Sequence, residues 1–201
     1  MAVEQVRHIA PFINDVFTVT SHWWYVRENP VTGEVTIHRG LDIATPSSVP
    51  VYSMLNGYVL ERGYDSGQGN YLVIVCDDQA SPYYGYATRY MHLDSINVFL
   101  NQRVLIGQQV GIEGTTGTST GIHLHLEMQD ISRFNWQWHW SYTKSDYLDP
   151  TVFMGIDNID WTQWIYDGTP IPPPGPQPIR KRKHFNFIIF DKRRRDRKFY
   201  E

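Results

Sequence analysis

Seven consecutive residues, Ile122-His123-Leu124-His125-Leu126-Glu127-Met128, alternate apolar and polar side chains without a break. A period of two marks a half-buried strand, because successive side chains leave a strand on opposite faces. Ile122, Leu124, Leu126 and Met128 are therefore expected in a core. His123, His125 and Glu127 share the other face. A strand with one oily face needs partners and a cover, so this stretch predicts a sheet. Other segments agree: 16–28, 35–38, 57–62, 70–76 and 86–93 are rich in Val, Ile, Thr and aromatics and are separated by Gly, Pro and Asn turns. With 15 Gly and 12 Pro in 201 residues, long helices are disfavoured. The fold class expected is all-β, a mainly antiparallel sheet domain with short loops.

The chain is long enough for one domain with a core of its own. Residues 1–168 read as that domain, with its centre at about 16–155. Residues 169–178, six of the ten proline, read as a stiff extended linker. Residues 179–201 form a basic aromatic tail. The formal charge of −3 hides an asymmetry: 180–201 holds ten basic and three acidic residues, leaving 1–179 with eight basic and eighteen acidic. An acidic body does not suit nucleic acid, so no nucleic-acid partner is expected. The tail suits an anionic wall polymer or a membrane surface, although its apolar centre at 185–190 is far short of the ~20 residues of a span. No apolar run follows the N-terminus, where Glu4, Arg7 and His8 interrupt every candidate, so no signal peptide is read. The single Cys76 forms no internal bridge and reads as a small buried hydrophobe.

Three patches carry chemistry. His38 and Asp42 are four apart, a spacing that would align them on a helix face; Gly40 and the β-type neighbours oppose a helix, but a bend near Gly40 can still let both side chains converge. His92 stands near the end of an apolar strand. His123 and His125 share a strand face with Glu127, which suits an outer partner of a metal ligand or plain strand polarity. Imidazoles and a carboxylate can hold zinc through three protein ligands with one position left for water. A free imidazole nearby can move the proton or steady an oxyanion. Two His and one carboxylate also describe an iron(II) oxygenase triad, and a His-x-His pair followed by Glu describes a cupin. Here, however, the His–Asp pair comes first in the chain and His-x-His last.

In these motifs and their order the chain resembles the lysostaphin/LytM-type zinc endopeptidases of peptidase family M23. The family's His-x-x-x-Asp appears as His38–Asp42, its Gly-x-Gly-Asn strand as Gly67–Ile74, its Tyr-x-His-Leu as Tyr90–Leu93, and its closing Gly-rich His-x-His as Gly117–His125. The resemblance implies a duplicated hybrid-motif sheet with a groove over the metal. It implies one Zn2+ held by His38, Asp42 and His125. It implies His123 as general base and His92 as the imidazole that steadies the tetrahedral intermediate. The implied activity is hydrolysis of peptidoglycan stem or cross-bridge peptides at the bacterial cell wall. Without a leader, a phage lysin or tail-associated hydrolase is the expected setting, or a secreted enzyme whose leader is missing. The alternative is a wall-binding or virion module without catalysis. Residues 131–148, dense in aromatics, exceed the family's minimum. Trp136, Trp138 and Trp140 are spaced for one strand face, as packing residues or a glycan platform.

Overall fold

The computed structural model describes residues 10–12, 17–29 and 31–154, and the backbone of 165–166. The proline-rich linker and the basic tail lie outside the described residues. The strands are β1 (Phe17–Ser21), β2 (Tyr25–Glu28), β3 (Val35–His38), β4 (Leu41–Ala44), β5 (Pro50–Tyr52), β6 (Gly57–Asp65), β7 (Gly69–Val75), β8 (Tyr86–Leu93), β9 (Ser95–Ile96), β10 (Arg103–Val104), β11 (Gln109–Ile112), β12 (Leu124–Asp130) and β13 (Ile165–Tyr166). A five-residue helix, α1 (Pro150–Met154), follows two short 3-10 turns. The main sheet has eight strands in the order β10-β6-β7-β8-β12-β4-β1-β13, and β5-β11-β9 and β2-β3 form two smaller sheets. The strand pairings are antiparallel, so the expected all-β antiparallel class is what forms.

β12, the alternating stretch, lies near the middle of the main sheet between β8 and β4. Leu124, Leu126 and Met128 are fully buried in the main core with Leu41, Ile43, Leu72, Ile74 and Tyr90. Each such side chain contributes ~1.5–3 kcal/mol relative to exposure. The opposite face is covered only in part. Val73, Val75 and Ala87 there pack against Ile131, Trp138 and Tyr147 of the aromatic stretch. The uncovered remainder of that face carries the polar side chains of β12, β8 and β4.

Three expectations need correction. Segment 16–28 is two strands, because Trp23 and Trp24 make a turn with φ 54° at Trp24; β2 then leaves the main sheet to pair with β3. Ile122 is 43% exposed, since β12 starts only at Leu124. The alternating tryptophans are not on a strand: positive φ at Asn135 and Trp136 breaks any extended run. Trp138 is buried while Trp140 is half-exposed.

Candidate metal centre

The bend expected at Gly40 is present. β3 ends at His38, β4 begins at Leu41, and Arg39-Gly40 turns the chain between them. Asp42 then pairs with His125 across β4 and β12, side by side on the uncovered face. A Cβ on Gly40 would lie 2.4 Å from His125 Nε2, so only glycine lets the bend press against that ring.

Three donor atoms converge. His38 Nε2 lies 3.0 Å from Asp42 Oδ1 and 2.9 Å from His125 Nδ1. His125 Nδ1 lies 2.8 Å from Asp42 Oδ1. Among the described residues these three form a group able to hold a metal ion, and all three are buried. Zinc bonds of about 2.0–2.2 Å in a tetrahedron place ligand atoms roughly 3.3–3.6 Å apart. The triangle needs only a few tenths of an ångström of opening, so two imidazole nitrogens and one carboxylate oxygen fit that ion.

The outer side of each ring fixes its tautomer. His38 Nδ1 donates to the carbonyl of His22 at 2.8 Å. His125 Nε2 donates to Glu127 Oε1 at 3.3 Å. A ring whose outer nitrogen carries the proton presents a lone pair inward, which is what a ligand must do. Glu127 is 1% exposed, with Arg39 3.7 Å from the same oxygen.

Electrostatics without an ion follow from this crowding. Burial favours the neutral acid at Asp42, yet hydrogen bonds from His125 and His38 outweigh it and hold the carboxyl well below its usual range. Burial also works against charge on His125, but bonds to Asp42 and Glu127 raise its pKa to about 9. Burial lowers His38, with Asp42 opposing. Three electron-rich atoms thus crowd one another closely enough to favour positive charge among them, which is what a divalent cation supplies.

Two further imidazoles adjoin the triad. His123 is bridged to Gly114 just before β12; its Nδ1 lies 2.9 Å from the carbonyl of Gly121 and its Nε2 3.8 Å from Asp42 Oδ1. His92 stands 4.7 Å from His123 and 6.0 Å from His125 between ring centroids. Strict alternation along β8 would forbid this position. Tyr90 faces the main core, so His92 should as well. Instead Leu93 takes the core position, and His92 absorbs the change of phase with φ 62°. A left-handed non-glycine residue costs ~1–3 kcal/mol. Its Nδ1 donates to the carbonyl of Thr116 at 2.8 Å. That carbonyl comes close because the loops meet at glycines: a Cβ on Gly117 would lie 2.2 Å from Gly69 N. Burial, with His125 nearby, lowers the His92 pKa to about 4, so the ring is neutral and its Nε2 is an acceptor.

All five residues singled out in the sequence therefore lie together. Sequence reasoning missed Arg27, whose Nη2 donates to Asp42 Oδ2 at 3.0 Å. It also missed the carbonyls of His22, Thr116 and Gly121, which no side-chain motif can announce.

The model of peptidase family M23 matches residues 36–138, half of the chain. The peptidoglycan DD-endopeptidase ShyB of Vibrio cholerae is 44% identical over 105 residues, covering 52% of this chain and 23% of the relative. The chain thus spans less than a quarter of that relative's length. A zinc-containing peptidase from Vibrio cholerae superposes with a TM-score of 0.54 at 34% identity, over 72% of this chain and 38% of the other. The catalytic domain of lysostaphin from Staphylococcus simulans gives 0.53 at 25% identity, over 69% of this chain and 92% of that domain.

Proposed function

From the premise that the chain belongs to peptidase family M23, we propose that it is a zinc-dependent endopeptidase that hydrolyses peptide cross-links of bacterial peptidoglycan. One observation carries the reading: three ligand atoms and two unligated imidazoles meet on the uncovered face of the sheet, each ring with its outer nitrogen held by an oxygen. His38, Asp42 and His125 would hold the ion. Zinc there supplies a Lewis acid and lowers the pKa of water from ~15.7 towards ~7.

The side chains of the protein divide the remaining work. His123, with Nδ1 committed to Gly121, offers Nε2 to take the proton of the attacking water. It returns that proton to the amine nitrogen as the C–N bond breaks. His92, with Nδ1 committed to Thr116, is also an acceptor at rest. It steadies the negative oxygen of the tetrahedral species only while it shares the one proton taken from the attacking water, which then leaves with the amine, so the two neighbouring rings work as a pair. The action is placed at the cell wall. For the basic tail, the proposal is attachment to an anionic polymer or membrane surface. Wall and vesicle binding at low salt that survives deletion of 180–201 would overturn it.

The test is digestion of defined muropeptides, with the cut bond identified by mass spectrometry. Cleavage of a cross-link, lost on chelation and regained with zinc, is the expected result. Binding to sacculi without release of peptide would instead favour a non-catalytic wall module.

A further inference from the structure

We infer that Arg27 is a positioning residue that makes Asp42 a one-oxygen ligand. The inference rests on the reading of His38, Asp42 and His125 as a ligand set. A carboxylate can grip a cation through one oxygen or both. At Asp42 the two oxygens face different company. Oδ1 points at His38 Nε2 and His125 Nδ1. Oδ2 accepts a charge-assisted hydrogen bond from Arg27 Nη2 at 3.0 Å. With one lone pair engaged and a guanidinium beside it, Oδ2 is disfavoured as a donor to a metal ion.

Arg27 reaches this place through the hairpin that carries a ligand. β2 pairs with β3, where Arg27 lies opposite Thr36 and Tyr25 opposite His38. One hairpin thus delivers both the His38 ring and the clamp on Asp42. The clamp is partly open to solvent, with the Arg27 side chain 27% exposed against 5% for Asp42. Its consequence is a count. With Oδ2 withheld, the protein contributes three donor atoms, and the rest of a tetrahedral sphere stays available to water or substrate. With Oδ2 released, the carboxylate turns towards two-oxygen binding and fills that space.

The probe is cobalt(II), whose visible bands are strong in a four-coordinate site and weaken as coordination rises. Cobalt(II) is added to the wild-type protein, Arg27→Gln and Arg27→Lys, and cleavage of a soluble cross-linked muropeptide is measured on the zinc forms. Arg27→Gln should weaken the visible band. It should lower kcat about tenfold or more, in line with the loss of an outer partner, with KM changed far less. Arg27→Lys, which can still donate to Oδ2, should restore the band in part. A spectrum of Arg27→Gln that superposes on the wild type overturns the inference. Failure of the wild type to bind cobalt overturns the ligand set itself, and binding without cleavage overturns the endopeptidase reading while leaving the role of Arg27 to the spectrum.

Discussion

Replacing Gly40 by Ala tests whether the bend between β3 and β4 is a fitted part of the site. The backbone there lies outside the left-handed region, so the effect is steric. The new methyl would meet His125 Nε2 at 2.4 Å, Cε1 at 2.7 Å and the carbonyl of Leu126 at 2.8 Å. Comfortable contact for carbon is ~3.5 Å or more, so the neighbours must give by about 1 Å. Leu126 is main chain in a central strand and cannot. His125 is held by Asp42 on one side and Glu127 on the other, so either the ring or the bend must shift. Overpacking of this kind costs ~1–3 kcal/mol, or roughly 2–12 °C in Tm for a domain of this size. A displacement near 1 Å at a ligand costs on the order of 10²-fold in rate. Calorimetry, competition against a chromogenic zinc chelator and the fall in turbidity of cell walls measure the three effects. A variant with wild-type Tm, zinc affinity and lytic rate would refute the reasoning.

Four further outcomes follow from the same geometry. His123→Ala should keep zinc and lose ~10²–10⁴-fold in cleavage rate, read by metal content and muropeptide digestion. Glu127→Gln removes the charge behind His125, and zinc affinity measured by chelator competition should weaken ~10-fold or more. Tyr90→Phe strips the oxygen that accepts from Met54 N at 2.9 Å and Thr88 Oγ1 at 3.1 Å in a fully buried place; denaturant unfolding should show a loss of ~1–3 kcal/mol. Zinc added at about 100 times its Kd should stabilise the metal-free protein by ~2.7 kcal/mol, visible as a rise in Tm that chelator reverses.

Legibility in the sequence tracked how local each cause is. The alternation from Leu124 to Met128 is a local property, and it placed β12, its core side and its polar side. The convergence of His38 and Asp42 was only a permitted outcome in the sequence, since Gly40 disfavours a helix and allows a bend without requiring one. His92 was recognisable only through its motif: alternation from Tyr90 points the ring into the core, and the reversal depends on one left-handed residue and on Leu93 filling the vacated position. Arg27 carried no signal, because its partner lies fifteen residues away on a strand of another sheet. The spacing of tryptophans 136, 138 and 140 does not predict their placement, because two left-handed residues curl that segment over the sheet.

The distance between ligands along the chain has its own effect. Asp42 and His125 are separated by 83 positions yet touch. An ion bridging them would tie the polypeptide into a lasso whose closure, left to chance in a loose chain, costs about 4 kcal/mol by loop-length scaling. Once fastened, the knot denies an unravelling molecule that freedom. Zinc would then act as a rivet through the middle of the sheet, and a protease arriving from solution would find few slack stretches to cut while the rivet stays in.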